Sequence, residues 1–229
     1  SSSIDQAVNK KRPVIILVKK GAFEKYKKNH QKSNSLKMYR EEALDTILNL
    51  LESKTIVVST TGKASREIFE IRDRKKESHE KDFLTVGSMG HCSSIALGIA
   101  LSKDDRKVVC IDGDGSMLMH LGNITALANL RPKNFYYILM NNKVHESVGG
   151  QDTAAKFLDL TQVASSIGFN SVLKVETKDQ LESKVSELLI SKPPSFLEVI
   201  IDPGSRAELG RPTIKPKDNK ENFMKFLEY

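Results

Sequence analysis

The sequence predicts an α/β fold in which a mostly parallel β-sheet is covered by helices on both faces. Two observations predict it. From residue 37 onward, short apolar segments alternate with segments of helical periodicity. The apolar segments, such as residues 55–60 (TIVVST) and 135–140 (FYYILM), are continuously hydrophobic. Continuous apolar runs are typical of strands that are buried on both faces of a parallel sheet.

Each element follows from one of these two patterns. The first helix of the series is predicted over residues 39–53, because leucine and isoleucine recur at i, i+3, i+4 and i+7 from Leu44. The last helix is expected to be capped by Asp218 or Asn219. The predicted strands are 55–60, 82–88, 107–112, 135–140, 171–175 and 195–201, and the other predicted helices are 63–72, 91–102, 116–130, 159–168, 178–191 and 218–229.

The first 36 residues stand apart from this alternation. A short helix-like piece precedes the apolar run Val14–Val18, which predicts a buried strand. A single strand cannot form a sheet, so we expect residues 1–23 to be the tail of another domain that is largely absent from this chain. Residues 24–36 are polar and rich in lysine, and they predict a linker to a domain over residues 37–229.

Composition and charge exclude several classes of function. The net charge of +7 comes from 36 basic and 29 acidic residues that alternate along the chain, without an arginine-rich arm, so we expect no nucleic-acid partner. The sequence contains no apolar run of about 18 residues, so that no membrane span is predicted. Cys92 and Cys110 lie in apolar stretches and are predicted core residues. The chain has only two cysteines, and its N-terminus lacks the apolar core of a signal peptide. Both observations favour a cytoplasmic location.

Four loops are the candidates for a binding site. In open parallel sheets, ligands bind beyond the carboxyl ends of the strands. Every unusual residue cluster of this sequence falls in one of the loops that follow the predicted strands. These loops are residues 59–63, 86–91, 112–116 and 141–150.

The segment 112–115 (DGDG) and the pair Asn141-Asn142 are predicted to meet. A helix over 116–130 would descend about 22 Å, and the next strand would climb back about 20 Å. Carboxylate and amide oxygens side by side suit Mg²⁺ that holds a phosphate ester. Gly113 and Gly115 would allow close backbone approach, and Ser116 could cap the helix or bind phosphate. The alternative is a pair of ordinary turns with Asp114 as a helix cap, and the spacing favours the metal site.

The pattern Gly113-Asp114-Gly115, 25 residues and Asn141-Asn142 resembles the cofactor motif of thiamine diphosphate-dependent enzymes. The resemblance implies thiamine diphosphate and Mg²⁺ as cofactors. It implies Asp114, Asn142 and the backbone carbonyl of Val144 as metal ligands. The diphosphate would then lie over Gly115 and Ser116.

Two further loops resemble the same family. Residues 86–91 (VGSMGH) resemble the loop that grips the aminopyrimidine ring, which implies binding roles for Gly87, Ser88 and Met89. Residues 59–65 (STTGKAS) resemble the loop at the diphosphate end, which implies contacts from Thr61, Gly62 and Lys63. Taken alone, Met89 would be interpreted as a core methionine, and a surface lysine is an equal alternative for Lys63.

The narrower resemblance is to the decarboxylases of this family that act on phosphonopyruvate. It rests on the segments DGDGSMLMH, NNKVHESVGGQDT and GSRAELGRPT and extends from about Leu36 to the C-terminus. It implies decarboxylation of the small-molecule substrate 3-phosphonopyruvate to phosphonoacetaldehyde and CO₂ in phosphonate biosynthesis, by a homo-oligomeric enzyme. Lys143 and Asp152 depart from it, since glycine and proline are expected there.

The resemblance also implies a catalytic histidine and a missing domain. His145 is expected to face the substrate as a proton donor or phosphonate contact, with a structural loop histidine as the alternative, and Glu146 is expected to be structural. Residues 1–23 resemble the end of a pyrimidine-binding domain. We therefore expect a second subunit to supply that domain and its glutamate, without which the chain should be inactive. The alternatives left open are a sulfopyruvate decarboxylase subunit and a non-catalytic phosphate- or nucleotide-binding module.

Overall fold

The computed structural model describes residues 2–11, 13–19, 21–23 and 38–228, which fall into two compact units divided between Asn34 and Ser35. In the first unit, helix α1 spans Ser2–Lys10. Residues 13–19 have no regular secondary structure, and the side chains of Val14–Val18 are 38–91% exposed. The predicted buried strand is therefore wrong here, because no described residue pairs with it as a strand requires. The predicted linker lies outside the described residues.

The second unit is built on a six-stranded sheet, and all of its strand pairs are parallel. The spatial order is β2-β1-β3-β4-β8-β7. A small antiparallel sheet, β5-β6, follows β4. The strands are β1 Ile56–Ser59, β2 Asp82–Leu84, β3 Val108–Gly113, β4 Phe135–Asn141, β5 Val144–His145, β6 Gln151–Asp152, β7 Ser171–Val175 and β8 Ser195–Ile200.

Helices cover both faces of this sheet, which confirms the predicted fold class. Val109 and Ile111 of β3 belong to one core cluster with residues of α2, α3 and α9, and Val108 and Cys110 belong to the other with residues of α4, α7, α8 and α10. Alternate residues of each strand thus pack against opposite layers. The helices are α2 Arg40–Leu50, α3 Lys63–Lys75, α4 Cys92–Ser102, α5 Asp114–Met119, α6 Leu121–Ile124, α7 Ala126–Leu130, α8 Leu160–Ile167, α9 Lys178–Ile190 and α10 Pro216–Glu228, with 3₁₀ turns at Glu146–Val148 and Ala154–Lys156.

Two helix predictions are wrong in detail. The single helix predicted over 116–130 is three short helices, α5 to α7, and the first begins two residues earlier, at Asp114. His120 interrupts it with φ −133° and ψ 44°, and its ring packs on that of His91 at 4.4 Å. Helix α10 begins at Pro216, so Asp218 and Asn219 lie inside its first turn and do not cap it.

The sheet register places the candidate loops at one edge. Strand β3 lies between β1 and β4, and Gly113 pairs with Met140. The residues that follow β1, β3 and β4 therefore emerge side by side, as the sequence predicts. Among the described residues, no helix has the length and apolar character needed to cross a bilayer.

Candidate functional site

Direct hydrogen bonds connect three of the four loops. Thr60 Oγ1 donates to Ser116 Oγ at 2.9 Å, and the Gly90 amide donates to the same oxygen at 3.0 Å. The Gly87 amide donates to Thr61 Oγ1 at 3.2 Å. The Ser116 hydroxyl thus holds the loops after β1, β2 and β3 together. Of the two roles expected for Ser116, that of a helix cap is wrong, because α5 begins at Asp114. Phosphate binding stays a prediction.

Asp112 is a structural residue. Its buried carboxylate accepts a hydrogen bond from the Tyr137 hydroxyl at 2.8 Å and one from the Gly113 amide at 2.9 Å. Burial raises the pKa of Asp112 above its ordinary value. Since both carboxylate oxygens already bind groups of the protein, Asp112 serves to hold the end of β3.

We expect Tyr137→Phe to lower the free energy of unfolding by about 1–2 kcal/mol, because it removes a donor from a buried carboxylate. Urea denaturation measures the change. Tyr136→Phe is the matched control, since no described residue hydrogen-bonds to the Tyr136 hydroxyl. Equal losses in the two variants would contradict the assigned role of Asp112.

Asp114 and Asn142 are brought together at the edge of the sheet. Asp114 is 3% exposed and accepts hydrogen bonds from the Thr153 hydroxyl and the backbone N–H of Asn142. Asn142 Oδ1 accepts from the Val144 amide at 3.1 Å. Burial raises the pKa of Asp114, and no lysine, arginine or histidine of the described residues forms an ion pair with it. A buried carboxylate without a cationic partner, beside an amide oxygen, fits the oxygen donor set that Mg²⁺ prefers.

Asn141 has a structural role, because both ends of its side-chain amide bind groups of the protein. Its Nδ2 donates to Glu198 Oε1 on β8 at 2.6 Å, and its Oδ1 accepts from the Lys143 amide at 3.0 Å. Lys143 has φ +60°, a left-handed conformation that glycine adopts without strain. This conformation accounts for the expectation of glycine at this position.

His145, Gly115 and Met89 form one contact. A Cβ atom at Gly115 would lie 2.9 Å from His145 Nδ1 and 3.6 Å from the Met89 methyl carbon. The imidazole therefore lies over the Gly115 backbone, with Met89 beside it. A larger residue at 115 would displace the imidazole from this position.

Two other glycines of these loops face open space. A Cβ atom at Gly113 or at Gly87 would meet no other atom within 4 Å. Gly87 and Ser88 both have positive φ, +71° and +46°, so the loop after β2 turns sharply there. The Cβ positions of Gly113 and Gly87 each face open space.

Lys63, the first residue of α3, is held by an ion pair. Lys63 Nζ lies 2.7 Å from Glu146 Oε1, and Arg40 Nη1 lies 2.9 Å from Glu146 Oε2. Burial raises the pKa of Glu146, but the two cations outweigh it and the pKa lies below its ordinary value. Gly62 has φ +104°, and a Cβ atom there would lie 3.7 Å from Ser147 Oγ. The loop after β1 thus contacts the loop after β4, in agreement with a structural role for Glu146.

Three residues of this site, Arg40, Glu67 and Thr153, were not predicted from the sequence. Thr153 lies 39 residues from Asp114, and Arg40 lies 106 residues from Glu146. The sequence pattern of this amphipathic helix favours an exposed position for Glu67, yet Glu67 is buried. Thr153 follows the glycine pair 149–150 in a segment already singled out, so only Thr153 had a local signal.

The fold and the site define the class of protein. Residues 60–199 match the family described as thiamine pyrophosphate enzyme, C-terminal TPP binding domain. The matched span contains the loops that follow β1 to β4. The chain therefore belongs to the thiamine pyrophosphate (thiamine diphosphate) enzymes, as the motifs indicate.

The chain is similar to two kinds of decarboxylase. The chain is 38% identical over 187 residues to phosphonopyruvate decarboxylase of Streptomyces hygroscopicus, covering 82% of this chain and 45% of that protein. It is 37% identical over 166 residues to sulfopyruvate decarboxylase subunit beta of Methanothermobacter thermautotrophicus, covering 72% of this chain and 83% of that one. The chain thus spans about half the length of the phosphonopyruvate decarboxylases that it matches.

A solved structure shares the fold. It is described as a thiamin diphosphate-dependent enzyme isolated from Mycobacterium smegmatis, and it matches with a TM-score of 0.60 at 23% identity. The match covers 73% of this chain and 32% of that chain.

Proposed function

We propose that this chain is the diphosphate-binding part of a thiamine diphosphate- and Mg²⁺-dependent decarboxylase that converts 3-phosphonopyruvate to phosphonoacetaldehyde and CO₂ in phosphonate biosynthesis. One observation carries the proposal. The buried carboxylate of Asp114 meets the Asn142 loop at the ends of adjacent parallel strands, beside the Gly115–His145 contact. The similarity to phosphonopyruvate decarboxylases supports the substrate.

The residues that would hold the cofactors lie on the four loops. Asp114, Asn142 and the Val144 carbonyl would bind Mg²⁺. The diphosphate would lie against Gly113, Gly115 and Ser116 and near Thr61, Gly62 and Lys63, and the aminopyrimidine against Gly87, Ser88 and Met89. Bound thiamine diphosphate supplies the electron sink for the carbanion that decarboxylation leaves.

Lys63 has two possible partners in this proposal. Its side chain is 27% exposed and pairs with Glu146. Because the lysine side chain is a flexible stem, Lys63 could exchange this ion pair for one with a diphosphate. Arg40 would continue to neutralise Glu146 after such a movement.

His145 is the candidate catalytic residue of this chain. Its half-buried imidazole lies on Gly115, beside the residue that would bind the metal. From there, it can donate a proton to the product carbon or hydrogen-bond to the substrate phosphonate.

We expect Gly115→Ala to lower turnover about 100-fold while the protein stays folded. The new methyl group would displace the His145 ring, which is the free end of a side chain, and misplacement of about 1 Å has this effect on catalysis. Steady-state kinetics of the enzyme completed by its partner subunit measures turnover, and thermal unfolding measures stability. Gly98→Ala in α4 is the control, because a Cβ atom there meets no other atom within 4 Å. Unchanged turnover in Gly115→Ala would show that the His145 position does not matter.

The proposed function is tested first by binding. Titration calorimetry with thiamine diphosphate and Mg²⁺ should give saturable binding that EDTA abolishes, and ATP and NAD should not bind. Binding of ATP or NAD in place of thiamine diphosphate would favour the non-catalytic nucleotide-binding alternative.

A second candidate substrate is sulfopyruvate. The chain covers 83% and 100% of two sulfopyruvate decarboxylase beta subunits at 37% and 34% identity, so that it matches those subunits along most of their length. Turnover of the two substrates decides between the candidates. A higher kcat/KM with phosphonopyruvate supports the proposal, and a higher value with sulfopyruvate overturns the assigned substrate.

We also propose that a second subunit supplies a pyrimidine-binding domain with its glutamate. The relatives named as beta subunits support this proposal, as does the half-length match to the phosphonopyruvate decarboxylases. Adding a chain that carries such a domain should raise decarboxylation from background to full activity. Full activity of this chain alone would contradict the proposal.

A further inference from the structure

A line of charged side chains leads from the interior to Asn142. Arg40 at the start of α2 binds Glu67 of α3 through two hydrogen bonds, Nε to Oε2 at 2.7 Å and Nη2 to Oε1 at 2.9 Å. Its third nitrogen, Nη1, binds Glu146 Oε2 at 2.9 Å. That same oxygen accepts a hydrogen bond from Asn142 Nδ2 at 3.2 Å.

The contacts of Arg40 with Glu67 and Glu146 require the guanidinium group of an arginine. Arg40 is 7% exposed and Glu67 is fully buried, so neither exchanges its partner with water. The rigid guanidinium fork binds one carboxylate along one edge and leaves Nη1 for the second. Lys63 binds the other oxygen of Glu146 and is more exposed, so it does not duplicate this contact.

The two contacts of the Asn142 amide allow one orientation. The Val144 amide is a donor and faces Oδ1, whereas the Glu146 carboxylate is an acceptor and faces Nδ2. A half-turn of the amide would place oxygen against carboxylate and NH₂ against N–H. Oδ1 is therefore held on the side away from Glu146, and it is the atom that the proposed metal site requires.

We propose that Arg40 is a positioning residue of this metal site. Anchored by Glu67, it holds the Glu146 carboxylate in the place that orients the Asn142 amide oxygen. The metal part of this inference rests on the proposed function, and the orientation of the amide does not.

The test variant replaces both residues of the buried pair, Arg40 and Glu67, at the same time. Arg40→Met alone would leave Glu67 buried and unpaired, which destabilises the fold. Arg40→Met with Glu67→Leu replaces the pair by apolar side chains and removes the Arg40 contact from Glu146 Oε2. Arg206→Met is the matched control, because Arg206 pairs with Glu41 and Glu70 of the same two helices and contacts no residue of the site.

Two readouts separate positioning from stability. In the protein without metal or cofactor, the side-chain ¹⁵NH₂ signal of Asn142, assigned by its loss in Asn142→Asp, should exchange with water on the order of tenfold faster in the double variant. The Mg²⁺ concentration that half-saturates thiamine diphosphate binding should rise about 10–100-fold, as for other residues that orient metal ligands. Both quantities should stay within about twofold in Arg206→Met.

The outcomes are distinct. An unchanged Asn142 signal together with an unchanged Mg²⁺ requirement in the folded double variant overturns the inference. If the unsubstituted protein binds no Mg²⁺ with thiamine diphosphate, the proposed function and the metal part of the inference fail. The Asn142 signal then still decides whether Arg40 orients the amide.

Discussion

Asp114→Ala should abolish Mg²⁺-dependent binding of thiamine diphosphate, with a loss of affinity greater than about 100-fold. Residues that only orient metal ligands change metal affinity about 10–100-fold. The loss expected for Asp114→Ala is larger, because Asp114 would contact the metal directly. Its carboxylate is buried and lacks a cationic partner among the described residues, so that a bound cation would be its only counter-charge. Calorimetry with and without Mg²⁺ measures the loss.

Two further variants control for damage to the fold. Asp114→Ala leaves the Thr153 hydroxyl and the backbone N–H of Asn142 without their acceptor, which costs about 1–3 kcal/mol of stability. Asp114→Asn keeps the shape and removes the charge, and it should also lose most metal affinity. Asp112→Asn should bind within a few-fold of the unsubstituted protein, because Asp112 is engaged with Tyr137 and Gly113. A larger loss at Asp112 than at Asp114 would reverse the assignment of the two aspartates.

His145→Ala should lower kcat about 10²–10⁴-fold and leave the affinity for thiamine diphosphate and Mg²⁺ unchanged. The range is that of a positioned general acid or base. The imidazole touches Gly115 but is not a proposed ligand of metal or diphosphate, so that binding and turnover should separate. Steady-state kinetics of the enzyme completed by its partner measures kcat and KM.

His79→Ala is the matched control for this variant. His79 precedes β2 at the opposite edge of the sheet, where it stacks on Phe69 and pairs with Asp73. Its loss should leave kcat within about twofold. Unchanged kcat and KM in His145→Ala would make His145 a structural loop residue, whereas a rise in KM alone would identify it as a substrate contact.

Several elements show why sequence prediction worked in the core. Strands β1, β3 and β4 are continuous apolar runs, and burial on both faces of the sheet is the reason for that pattern. The failures are at positions where local pattern and packing disagree. Val14–Val18 has the composition of a strand but no strand partner among the described residues, and the helix after Asp114 breaks where His120 packs on His91.

The sequence by itself determined the fold class, the family and the approach of Asp114 to the Asn142 loop. Parallel strands joined by a helix return to the same edge, so that chain spacing alone carries this information. Only the tertiary structure decided which aspartate binds Tyr137, that Asn141 turns to Glu198, and that His145 lies on Gly115. Such contacts join segments that are 25 to 106 residues apart, as for Tyr137 with Asp112 and Arg40 with Glu146. They depend on strand register and side-chain packing, which no local pattern encodes.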